Sequence, residues 1–123
     1  MADEALEPGE TGRVIEAYRA AYPDPLSAYA GETLTFGRKD QSWPGWVWCA
    51  NREGKGGWVP ESFMRIKEKI CTMQRDYVAR ELSVRVGDLL TLHELESGWY
   101  WASDRSGRNG WVPAKNVKRL NER

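Results

Sequence analysis

Apolar positions along this chain alternate in short runs, and no segment carries a helical stripe. Leu34 and Phe36 flank Thr35, and Leu90 and Leu92 flank Thr91, the every-second-residue pattern of a half-buried strand. Trp46-Val47-Trp48-Cys49 and Trp99-Tyr100-Trp101-Ala102 continue it, with Val47 and Cys49 on one strand face and Trp46 and Trp48 on the other. The smaller residues suit a core. The tryptophans are then expected on a partly open surface, as at an interaction site. Polar, glycine-rich stretches from Asn51 to Gly56 and from Ser103 to Asn109 fall where hairpins need residues at positive φ. Each half therefore reads as strand, long loop, strand, loop, strand, tight hairpin, strand, short turn and final strand. The fold class is all-β, built as small barrels or sandwiches.

The halves repeat. Gly57-Trp58-Val59-Pro60 recurs as Gly110-Trp111-Val112-Pro113, Leu26-Ser27 as Leu82-Ser83, and Gly31-Glu32 as Gly87-Asp88. The repeat divides the chain into residues 13–67 and 70–120. Lys67-Glu68-Lys69, between Ile66 and Ile70, reads as a linker too short to let two barrels move freely. Residues 1–12 hold Asp3, Glu4, Glu7 and Glu10 with Pro8, Gly9 and Gly12 and no Lys or Arg. That composition predicts a disordered acidic head, with order beginning near Arg13-Val14-Ile15.

Composition narrows the function. The chain has 123 residues, and units of about 55 residues bury only about 60% of their unfolded surface. Seven Trp and five Tyr supply the missing area. A formal net charge of +0 argues against a general polyanion binder, so nucleic acid is not the favoured partner. Cys49 and Cys71 are too few for a disulfide framework and read as small buried residues in a reducing compartment. No apolar run reaches membrane-spanning length, and Met1-Ala2-Asp3-Glu4-Ala5 does not resemble a signal peptide. A cytoplasmic monomer is expected. His93 is the single histidine, so neither a nucleophile triad nor a metal set can be assembled, and no cofactor is expected. Gly54, Gly56 and Gly57 lie in a hairpin with no helix after them, which is not a phosphate loop. Glu32 and Asp88 fall at matching turns, where local hydrogen bonding accounts for them. The chain reads as a non-enzyme.

In order, the landmarks of the first repeat are Ala17-Tyr18, Tyr22-Pro23-Asp24-Pro25, Leu26-Ser27, Gly31-Glu32, Trp46, Gly57-Trp58-Val59-Pro60 and Phe63. Those of the second are Asp76-Tyr77, Arg80-Glu81, Leu82-Ser83, Gly87-Asp88, Trp99 and Gly110-Trp111-Val112-Pro113. This series resembles the Src-homology-3 (SH3) domain, present twice, and most of all the variant SH3 domains of small bacterial proteins. The resemblance implies two consecutive five-stranded barrels packed through a very short linker. Each would carry a groove for an extended polyproline II peptide, divided by a Trp and flanked by an acidic loop. Carried over by position, the first groove comprises Tyr18, Trp46, Trp58, Pro60 and Phe63, with Asp24 as loop acid and Trp43 as a wall. The second comprises Tyr77, Trp99, Trp111 and Pro113. The chain departs from the family at Glu16 and Arg75, where a first tyrosine is usual, and at Asn116, where the groove has an aromatic.

The expected function is a protein-interaction module that binds an extended segment, proline-rich peptides among the candidates, mainly through the first groove. The alternatives are an assembly domain with covered grooves and a small-barrel reader of nucleic acid or methyl-lysine.

Overall fold

The computed structural model describes residues 5–22 and 24–120. Pro23 of the predicted long loop and the first four residues of the acidic head lie outside them. The chain is all-β, and two single turns of 3-10 helix, Glu61–Phe63 and Ala114–Asn116, each follow a Trp-Val-Pro strand.

The strands are β1 (Glu10–Val14), β2 (Ser27–Ala28), β3 (Thr33–Lys39), β4 (Trp46–Ala50), β5 (Gly56–Pro60), β6 (Met64–Lys67), β7 (Ile70–Met73), β8 (Tyr77–Val78), β9 (Leu89–Glu96), β10 (Trp99–Ser103), β11 (Asn109–Pro113) and β12 (Val117–Arg119). They form two five-stranded sheets, β5-β4-β3-β7-β6 and β11-β10-β9-β1-β12, with a small β2-β8 pair. These are the two SH3-like small barrels. The hairpins joining β4 to β5 and β10 to β11 share one device. Asn51 Oδ1 accepts the N–H groups of Glu53 and Lys55, and Asp104 Oδ1 accepts those of Ser106 and Arg108. Gly54 and Gly107 take the required positive φ, at 86° and 92°.

The barrels do not follow the linear repeats 13–67 and 70–120. One compact unit, called the core unit here, is continuous over residues 22–80; the other, the split unit, combines residues 1–21 with 81–123. β1, from the first repeat, pairs with β9 and β12 of the second, and β7, from the second, pairs with β3 and β6 of the first. The repeats have exchanged their opening strands.

The segment read as a linker explains the exchange. Lys67 pairs directly with Ile70, so Glu68 and Lys69 form a tight hairpin turn, with Glu68 left-handed at φ 57°. A turn that short folds β7 back onto β6, where it fills the slot an opening strand of the first repeat would take. β1 then fills the equivalent slot in the other sheet. Side-chain volume agrees with this choice. Gly12 of β1 lies so close to its neighbours that a Cβ there would come within 2.6 Å of Val117 Cγ1 and 3.0 Å of Leu92 Cδ1. Cys71 of β7 occupies the corresponding register and instead meets Cys49, Sγ to Sγ 4.0 Å. Burial pushes both thiols above their ordinary range, so neither is poised as a thiolate.

The core of the split unit gathers Val14, Leu82, Leu90, Leu92, Tyr100 and Val112, with Leu6 packed against it. The head is therefore ordered earlier than residue 13. β1 starts at Glu10, Gly9 N–H donates to Leu92 O at 2.8 Å, and Glu10 forms a two-pronged ion pair with Arg119. Glu10, the last acid of that head, is tied into the sheet. In the core unit Leu26, Leu34, Val47, Cys49, Val59 and Met73 are buried, as the alternation predicts for Val47 and Cys49.

The Glu10–Arg119 pair gives a pH prediction. Hydrogen bonding from the Arg119 guanidinium holds the Glu10 carboxyl below the usual carboxylate range. A carboxyl depressed in the folded state stabilises above its unfolded pKa, and that contribution is lost as pH falls through the folded value. Arg119→Gln is expected to lower stability at neutral pH. Its deficit against the parent should fade as pH drops below the carboxylate range, as read by denaturant midpoints at several pH values. A deficit constant down to the most acid pH contradicts this.

Candidate functional site

The strand exchange re-sorts the groove residues expected from sequence. Tyr18 does not join Trp46. Its ring meets Trp99 edge-on, centroids 5.6 Å apart at 83°, and its backbone pairs with Val84. Tyr77 joins Phe63 instead, centroids 5.6 Å apart at 75°, and its hydroxyl donates to Trp58 O at 2.6 Å. Each groove is thus a composite of the two repeats.

In the core unit, Trp46 pairs with Pro60 across β4 and β5. Trp46, Phe63 and Tyr77 are only 5%, 4% and 8% exposed, and Pro60 is buried. The expectation that Trp46 stands on an open surface is corrected: alternation assigned its face, but that face is covered. Arg75, at one of the positions departing from the family, lays its guanidinium 3.9 Å from the Phe63 ring centroid. Asp24 is strongly exposed and pairs with Lys55 at 3.0 Å, across the unit's own hairpin, and it belongs to a different unit from Tyr18. Trp43 is half-buried, in a turn where Asp40 Oδ1 accepts its N–H. Trp58 is half-buried and meets Trp48 edge-on at 5.1 Å, with the Arg38 guanidinium over both rings at 5.2 and 5.6 Å. The register brings this cluster together across three adjacent strands: Trp48 pairs with Trp58, and Arg38 with Trp48.

The split unit arranges the matching positions differently. Trp99 pairs with Pro113 on one side and Glu96 on the other. Tyr18 and Trp99 are both half-buried, as Trp43 and Trp58 are, and Pro113, paired with Trp99, is buried. Trp111 is 3% exposed and pairs with Trp101, so it supports the sheet instead of lining a groove. Glu81, of the Arg80-Glu81 landmark, anchors Tyr18: its Oε1 accepts the Tyr18 hydroxyl at 2.7 Å and the Ala21 N–H at 2.8 Å.

Asn116 stands where the core unit has Phe63. Its Nδ2 donates to the carbonyls of Glu16 and Ala17 at 3.1 and 3.2 Å, stapling the segment that carries Tyr18. The residue is 3% exposed, and its Oδ1 has no hydrogen-bond partner among the described residues. A buried acceptor left so costs about 1–3 kcal/mol. The departure at Asn116 thus replaces an aromatic position with a side chain that fixes the Glu16–Ala17 backbone. Sequence reading places Asn116 in the same repeat as Trp99 but assigns Glu16 to the other; the exchanged strand brings Glu16 there.

Among the described residues, no helix is long and apolar enough to cross a membrane. No curated protein matches the chain. A family model described as variant SH3 domain matches residues 11–67 and again 70–120. Its two stretches follow chain order because a sequence profile does not register which copy of an equivalent strand fills a slot. SH3 domains are generally non-catalytic modules that bind protein or peptide partners. The chain belongs to the variant SH3 family and carries its domain twice.

Proposed function

We propose that this protein is an interaction module whose working groove is the Tyr18–Trp99 site of the split unit, and that it takes an extended partner segment carrying a basic residue. The observation that carries this reading is the Tyr18–Trp99 ring pair, only half-buried, set against the buried Trp46, Phe63 and Tyr77 of the other unit. Two rings crossed edge-on offer a cleft for an apolar or proline residue. Glu81, bound to Tyr18, and Glu96, opposite Trp99, supply negative charge beside it. The same carboxylates disfavour nucleic acid, whose phosphates they would repel.

A second reading applies to the core unit. Its matching rings are buried, and Arg75 already stacks on Phe63, so this barrel has a structural role, with β7 completing its own sheet.

Calorimetric titration with an arginine-containing proline-rich peptide tests the groove. Trp99→Ala is expected to weaken binding by about thirtyfold, the loss of one central aromatic anchor, with the amide spectrum of the rest of the chain retained. Unchanged affinity in that variant refutes the site.

A further inference from the structure

We propose that the split unit carries a second binding site, an arginine-lined cleft that takes an acidic protein segment. The cleft, about 780 Å³ and open to solvent, is lined by Arg19, Arg85 and Arg108 together with Asp88 and Tyr18. Three distant parts of the sequence supply the arginines: the arm after β1, the turn before β9 and the hairpin between β10 and β11. All three cations are arginines. The planar fork of a guanidinium suits the paired oxygens of a carboxylate better than a lysine ammonium does.

The local charges are only partly neutralised from within. Asp88 Oδ2 is engaged by the Arg85 backbone N–H at 2.9 Å, a turn-closing bond. Arg108 Nε is held by Asp104 Oδ2 at 3.0 Å and Ser106 Oγ at 3.1 Å, and neither bond uses its terminal Nη nitrogens. Arg19 and Arg85 are exposed and form no ion pair among the described residues. A site with two uncommitted guanidinia and a third held on its hairpin fits a short run of Asp and Glu.

Nucleic acid is the weaker fit. It would need a basic stripe along the surface, whereas this cleft includes Asp88 and the whole chain is neutral. The cleft shares Tyr18 with the aromatic groove, but its arginines lie outside the Tyr18–Trp99 ring pair, so Trp99→Ala tests the two sites separately.

The test is fluorescence anisotropy of the full chain with a labelled Asp/Glu-rich peptide and, in parallel, a single-stranded oligonucleotide of similar length. Saturable peptide binding is expected, weakening with added salt. Arg19→Glu and Arg85→Glu should each weaken it about tenfold, the loss of one charge-assisted contact. Arg19→Gln and Arg85→Gln serve as neutral counterparts, and amide spectra verify that every variant is folded. Trp99→Ala should leave this binding intact, which separates the cleft from the groove. Lack of saturation, equal binding by the charge-reversed variants, or tighter binding of the oligonucleotide overturns the proposal.

Discussion

Val14→Asp is expected to unfold the split unit while the core unit stays folded. Val14 belongs to β1, is fully buried, and sits in one cluster with Leu90, Leu92, Tyr100, Val112 and Val117, all from the second repeat. Its backbone N–H donates to Asp88 O at 2.9 Å and it pairs with Val117. A carboxylate placed there has no partner, and burying it costs on the order of 4 kcal/mol or more. A domain of this size holds only about 5–15 kcal/mol in total, so protection should fall sharply. Amide hydrogen exchange reads the outcome by strand. The account predicts lost protection across β9, β10 and β12, with β3, β4 and β7 keeping theirs. Two barrels of linear sequence predict the reverse, because Val14 would then belong with β3 and β4. Exchange lost first in residues 33–60 would therefore contradict the exchanged pairing.

Trp46→Ala is expected to act on stability, not on recognition. Trp46 is 5% exposed and pairs with Pro60, and Val47 beside it is fully buried. Truncating a buried tryptophan costs about 3–5 kcal/mol through lost transfer energy and the cavity left behind. Thermal unfolding should shift down by many degrees. At a temperature where the variant is still folded, its affinity for an arginine-containing proline-rich peptide should match the parent's. A Trp46→Ala protein of unchanged melting temperature that no longer binds the peptide would return the working groove to Trp46. The contrast with Trp99→Ala is the informative one, since the two tryptophans occupy the same place in the repeat.

That equivalence also explains what the sequence could and could not reveal. The duplicated Trp-Val-Pro strands, the alternation in β3 and β9 and the glycine-rich hairpins are local features, written within a few residues of one another. They predict the all-β fold and the duplicated barrel. Which opening strand enters which sheet is not local, because β1 and β7 present the same kind of edge to the same kind of slot. The deciding signal was in Ile66-Lys67-Glu68-Lys69-Ile70, which reads equally as a tether or as a two-residue hairpin. Only the pairing of Lys67 with Ile70 separates those readings. Chain order therefore sets Tyr18 with Trp46 and Tyr77 with Trp99, whereas the fold sets Tyr18 against Trp99 and Tyr77 against Phe63. Trp46 shows a second boundary of the same kind: alternation says which face of a strand a residue occupies, but not whether that face is covered. Glu16, Arg75 and Asn116 stood out in the sequence as departures, yet their meaning needed the exchanged frame, in which Arg75 stacks on Phe63 and Asn116 staples Glu16 and Ala17.

The most direct measurement follows nuclear Overhauser contacts of the Tyr18 ring through a titration with an arginine-containing proline-rich peptide. The account predicts cross-peaks from Tyr18 to the Trp99 indole in the free protein, and joint shifts of Tyr18, Trp99 and Asn116 as peptide is added, with Trp46 and Phe63 unmoved. Cross-peaks from Tyr18 to Trp46, or shifts confined to Trp46, Phe63 and Tyr77, would contradict it.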